Sequence, residues 1–203
     1  MSNIIQLQEN NIQPNEGGLF MCKVLENLKE KTPIELLKEN NISLNPPIDI
    51  GELLQKLNIS TKAVDFSEVE DIKKVKRGSV LGATFSDKDD LFILYKESDT
   101  YNRQLFTIAH ELGHCCLHTD TLKINHIEYR DEEKKCEKRE IDANIFAGEL
   151  LIPEDSLMFY YRKFIVPSLE SLAKIFGVST NVMAARLDHL NLNYYKDTAI
   201  SED

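Results

Sequence analysis

Apolar positions along the 203-residue chain recur at helical spacing near both ends and at strand spacing in the middle, so the pattern predicts helices flanking a small sheet. After a polar tail, MSNIIQLQENNIQPNEGG, the segment LFMCKVLENLKEK has a helical pattern. A second helix starts at Thr32-Pro33-Ile34-Glu35, where threonine caps, proline suits the first helical position and Glu35 completes a capping box. The stretch NNISLNPP (40–47) carries turn residues and two prolines, and reads as a linker. Beyond it IDIGELLQKLNI is a further helix, with Asp49 as its cap and Glu52 three residues on.

The period then shortens. TKAVDFS, SVLGATFS and LFILYK are short and rich in β-branched and aromatic residues, and the last two flank the polar SDKDD turn, which predicts a hairpin. The outer strand of that hairpin could align an extended peptide by backbone hydrogen bonds. From Tyr101 to Leu117 a helix returns, apolar on nearly all sides, as befits the centre of a domain. DEEKKCEKREIDANIFAGELLIP gives another long helix, ended by Pro153. LESLAKIFGVSTNVMAARLDHLNL reads as two helices around Gly177-Val178-Ser179, with Ser179 capping the second. The expected class is α+β, with a small antiparallel sheet and a central helix. It divides into an N-terminal helical extension (1–45), a main body (46–155) and a C-terminal helical part (156–203).

Composition narrows the picture. Hydrophobic content of 42% with 29% charged residues is ordinary for a soluble globular chain, and no apolar run is long enough to cross a bilayer. The N-terminus lacks the basic start and apolar core of a secretory signal, which predicts a cytoplasmic protein. Four cysteines (Cys22, Cys115, Cys116, Cys136) do not make a disulfide framework and are expected to be free thiols. A net charge of −10 argues against a surface built to hold phosphate backbones.

The chemistry concentrates in TIAHELGHCCLH (107–118), which holds three of the chain's five histidines. His110 and His114 stand four residues apart, so on a helix both imidazoles reach one tetrahedral metal. Glu111 points about 100° away and can reach a water on that metal without being a ligand. In such a His-Glu-x-x-His helix, zinc lowers the pKa of its water to roughly 7 and the glutamate takes the proton. A third ligand is needed. Three ligands along one straight helix cannot converge on a tetrahedral ion, so His118 is expected to support the site or the fold rather than bind metal.

The downstream helix offers Glu133, Cys136, Glu137, Glu140 and Asp142. Glu140 shares a stripe with Cys136, Ala143, Ala147 and Leu151, the core-facing side, whereas Asp142 lies with Lys135, Lys138 and Glu149 toward solvent. Glu140 is therefore expected to be the buried carboxylate that needs a cation, with Cys136 as a minor rival. Ala143 and Ala147 let the two helices approach closely. Asn144, one turn after Glu140, is placed to orient a ligand. Arg103 lies two turns upstream of the histidines and pairs with a carboxylate or a substrate backbone. A tyrosine or His126 is a candidate donor to the oxyanion.

RQLFTIAHELGHCCLH (103–118) followed by EIDANIFAGELLIP (140–153) resembles the ImmA/IrrE family of metallopeptidases, and the likeness extends more weakly over residues 46 to 192. The resemblance implies a zincin-like core with a Zn2+ ion, His110, His114 and Glu140 as ligands and Glu111 as general base. It also implies a regulatory endopeptidase whose protein partner is a helix-turn-helix repressor, in a stress response or in mobile-element control. Two alternatives stand beside it. One keeps the zinc in a regulatory binding module or toxin-like partner that does not cut. The other takes LAKIFGVSTNVMAARL for a DNA-binding helix-turn-helix, although its second helix, Thr180 to Leu190, offers duplex DNA only Asn181 and Arg186 beside an acidic Asp188.

Overall fold

The computed structural model describes residues 22–74, 76–87, 90–119, 126–129, 137–165 and 167–196. The polar tail, Glu133 and Cys136 lie outside the described residues. Three short helices come first: α1 (Lys23–Leu28), α2 (Pro33–Glu39) and α3 (Ile50–Lys56). The capping box predicted at Thr32 is present in both halves. The Glu35 backbone N–H donates to Thr32 Oγ1 at 3.4 Å, and the Thr32 N–H donates to Glu35 Oε2 at 2.9 Å. Asp49 caps α3 by accepting from the Glu52 N–H at 2.8 Å. The segment read as a linker is packed: Ile42 is buried, and the Leu44 carbonyl accepts from Ser156 Oγ at 2.6 Å.

Next come β1 (Ile59–Val64), α4 (Ser67–Lys73), β2 (Val80–Asp87), β3 (Asp90–Lys96), α5 (Tyr101–Leu117) and β4 (His126–Tyr129). The predicted hairpin is β2–β3, antiparallel, with Ala83 opposite Leu94 and Thr84 opposite Ile93. The sheet order is β1-β3-β2-β4. Two expectations change here. The sheet is mixed, because β1 runs parallel to β3. The hairpin also has no free outer strand, since β4 pairs antiparallel with β2 and shifts register between Val80 and Gly82. Both strands that cover the hairpin are joined to it by long-range pairing, which local patterning does not encode. Three elements carry weak sequence signals: α4 is seven residues long, β4 is four, and α7 has an almost uniform surface.

The chain closes with α6 (Lys138–Leu151), α7 (Glu154–Tyr161), α8 (Leu169–Phe176) and α9 (Thr180–His189). Gly177 ends α8 in the left-handed region (φ 64°), and Ser179 caps α9 by accepting from the Val182 N–H at 3.3 Å. One apolar core runs through the described molecule. It includes Leu28 of α1, Leu37 of α2, Leu53 of α3, Leu91 and Ile93 of β3, Leu112 of α5, Leu150 of α6, Phe176 of α8 and Leu187 of α9. The other face of the sheet forms a smaller cluster of Val64, Phe66, Val80, Ala83 and Leu94. Strand alternation therefore turns Gly82 and Thr84 of β2 toward α5, opposite in sense to Ala83. No helix among the described residues is long and apolar enough to cross a membrane.

Candidate metal centre

Helix α5 spans the 17 residues predicted for it, and its buried positions include Glu111 and His114 beside Ala109, Leu112, Cys115 and Cys116. Helix α6 lies close against it. Ala143 and Ala147 are fully buried, and a Cβ on Gly113 would stand 3.2 Å from the Phe146 side chain, so the bare glycine sets the approach. That approach brings Glu140, at the start of α6, to the two histidines of α5.

His110 Nε2 and His114 Nε2 are 3.0 Å apart. Glu140 straddles them, with Oε2 3.4 Å from His110 Nε2 and Oε1 3.4 Å from His114 Nε2. Two nitrogens and a carboxylate thus converge from two helices, and the three side chains could hold a metal ion. Ligands bonded to a tetrahedral zinc at about 2.0–2.1 Å lie about 3.4 Å from one another, so the donor set fits that ion in type and spacing. The Glu140 side chain is 19% exposed, against 2% for His114, so it sits at the rim of the buried stripe rather than within it. The cause is its place in the first turn of α6, before the helix enters the core.

Asn144, one turn past Glu140, brings its Oδ1 to 3.0 Å from His110 Nδ1. With the amide oxygen as acceptor, this contact favours the His110 tautomer protonated on Nδ1, which turns the lone pair of Nε2 to the centre. His118 is the C-cap of α5 and stands apart from the converging set. Its Nε2 donates to the Arg139 carbonyl at 3.2 Å, tying the end of α5 to the residue before Glu140. Burial lowers the pKa of this imidazole, partly opposed by that carbonyl, so the ring is neutral near pH 7.

Glu111 is 1% exposed and faces the sheet. Thr84 Oγ1 donates to its Oε2 at 2.8 Å. A Cβ on Gly82 would fall 2.7 Å from Glu111 Oε1 and 2.6 Å from the Thr107 methyl, so only glycine lets β2 lie this close to α5. Thr84 and Gly82 escape a reading centred on the histidine motif. Their signal is two small or polar residues at i, i+2 in an apolar strand, which marks one face of that strand as meeting something polar.

Arg103 forms the ion pair expected at a helix start, Nε to Asp99 Oδ2 at 3.3 Å. Arg186, one of the two α9 side chains considered for DNA, is turned inward. It is 5% exposed, its Nε donates to the Ile152 carbonyl at 3.2 Å and its Nη1 meets Glu149 Oε1 at 3.1 Å. His126 begins β4, opposite Thr84 in register.

The sequence matches the peptidase family described as IrrE N-terminal-like domain over residues 72–188, which takes in β2 through nearly all of α9, with His110, Glu111, His114 and Glu140 on the two site helices. No curated protein matches the chain. With a match over more than half of its 203 residues, and with the α5 and α6 side chains that could hold a metal ion inside that span, the chain belongs to the IrrE N-terminal-like domain family of peptidases.

Proposed function

We propose that the chain is a zinc-dependent endopeptidase that cleaves a helix-turn-helix repressor in the cytoplasm, in a stress response or in mobile-element control. The observation that carries this reading is the convergence of His110, His114 and Glu140, with a buried glutamate next in sequence to the first of them. His110, His114 and Glu140 would hold the ion, and Asn144 would fix the His110 ring. Zinc, when bound, supplies Lewis acidity toward a water and a peptide carbonyl. Glu111 takes the proton of the attacking water and delivers it to the departing amine. The burial of Glu111 strengthens its electrostatic influence on the reacting groups, and Thr84 keeps the carboxylate satisfied while no substrate is present.

Backbone alignment of an extended substrate, expected of the hairpin, passes to β4, the outermost strand on that side among the described residues. The inward turn of Arg186 removes a phosphate contact from α9 and so weighs against duplex DNA as the target. The test is co-expression with the helix-turn-helix protein encoded beside the gene, together with metal analysis. A zinc-dependent cut by the wild type and none by Glu111→Gln, with the metal retained, is the expected result. Equal cutting by the variant would sink the mechanism, and a stable uncut complex would favour a sensing role.

A further inference from the structure

We infer that Thr84 is a positioning residue for Glu111: from the neighbouring strand, its hydroxyl sets the place from which the carboxylate works. This rests on the peptidase reading above, but the contact itself does not. The Thr84 side chain is 4% exposed, lies on the α5-facing side of β2 and donates to Glu111 Oε2 at 2.8 Å. Cys115 Sγ, one turn beyond Glu111, approaches Thr84 Oγ1 at 4.0 Å as a donor, which leaves the hydroxyl proton to the carboxylate.

Three features make the contact more than incidental. Glu111 is buried on α5 among Ala109, Leu112 and Cys115, where a carboxylate gains from a donor supplied by the facing strand. β-Branching limits the rotamers of Thr84, so the hydroxyl is aimed by the strand rather than by chance. Gly82, two residues earlier on the same face, admits the other carboxylate oxygen and leaves no room for a methyl group. Glu111 is thereby fitted to β2 at both oxygens, one by a hydrogen bond and one by shape. A glutamate has three side-chain torsions, and this fit narrows the places that its carboxylate can take. Proton transfer demands one of them, since a displacement of about 1 Å can cost a factor of about 100 in rate.

The test has two arms. The first uses metal-free protein and asks nothing of activity: a double-mutant cycle on unfolding with Thr84→Val, Glu111→Met and the double variant. A coupling of roughly tenfold or more in the unfolding equilibrium constant is expected for a hydroxyl bonded to a buried carboxylate. The second measures cleavage of the helix-turn-helix protein encoded beside the gene. Thr84→Val should lower kcat about 10- to 100-fold with KM and zinc content unchanged, and Thr84→Ser should restore most of it. A wild type that does not cut sinks the peptidase reading, while the cycle still reports the contact. Coupling below about twofold, or full kcat in Thr84→Val, overturns the positioning role even in an active enzyme.

Discussion

Replacing Gly82 by alanine tests the closeness of strand and site helix with a single methyl group. The added Cβ would lie 2.6 Å from Thr107 Cγ2 and 2.7 Å from Glu111 Oε1, where ordinary contact begins at 3.4 Å. The Thr107 methyl must therefore retreat by about 0.8 Å and the carboxylate oxygen by about 0.7 Å, or α5 must lift off β2 by a similar amount. Neither side chain yields cheaply. Thr107 is β-branched on a helix, which holds χ1 in few rotamers, and Glu111 is anchored by Thr84. Overpacking of this kind costs about 1–3 kcal/mol. The φ of Gly82 is outside the left-handed region, so alanine meets no backbone penalty and, by stiffening the unfolded chain, would otherwise add about 0.4–1 kcal/mol of stability. The sign of the change thus separates the two effects. With the two effects set against each other the net loss centres on about 1–2 kcal/mol, so thermal unfolding of metal-free Gly82→Ala should fall by roughly 2–8 °C, at about 2–4 °C per kcal/mol for a chain of this size. Cleavage should drop by up to about 100-fold while zinc affinity stays within a few-fold, because His110 and His114 move with their helix. A Tm equal to or above the wild type, with full cleavage, would refute the reasoning.

Asn144→Ala should weaken zinc binding about 10- to 100-fold in a competition titration, with the metal-free Tm nearly unchanged because the side chain is exposed; an unaltered affinity would separate Asn144 from the ligand shell. Glu149→Ala strands the buried Arg186 guanidinium and should cost about 2–3 kcal/mol in urea unfolding despite the greater exposure of the carboxylate. The same change combined with Arg186→Met should cost less than the single change, and a plainly additive pair would disprove the coupling. Cys22, Cys115 and Cys116 are buried, and burial pushes the Cys115 and Cys116 thiols well above their ordinary range. In a Cys136→Ser background no thiol should react with a disulfide reagent at pH 8 until the chain is unfolded, and prompt native reactivity at any of the three would contradict their placement.

What the sequence made legible follows from the range over which each signal acts. The caps at Thr32, Asp49 and Ser179 are contacts within one turn, and they are found where local chemistry puts them. Glu140 could be chosen among five candidates because helix phase is a local property, and the same phase placed Asn144 beside His110. Its partial exposure lies beyond that signal, because helix phase gives direction and not depth: the first turn of α6 lies outside the packed core. Strand neighbours were out of reach for the opposite reason. Nothing within TKAVDFS says that it runs parallel to LFILYK, and nothing in HIEY says that it covers SVLGATFS. Thr84 falls between these cases, since its face was readable while the partner across that face was not.

The family match begins at residue 72, yet the apolar core does not. Leu28, Leu37, Leu53 and Ile59, all earlier in the chain, share that core with Leu112 of the site helix, and the Glu30 backbone N–H donates to the Cys116 carbonyl at 2.8 Å. β1 also precedes the match and covers the edge of β3. A chain trimmed to the matched residues would keep His110, His114 and Glu140 and expose an unpaired β3 edge beside Leu91 and Ile93, the template on which strands of different molecules associate. The stretch that identifies the family is thus shorter than the stretch that completes the core and covers the β3 edge, so a boundary drawn by kinship cuts through packing that a boundary drawn by contacts would keep whole.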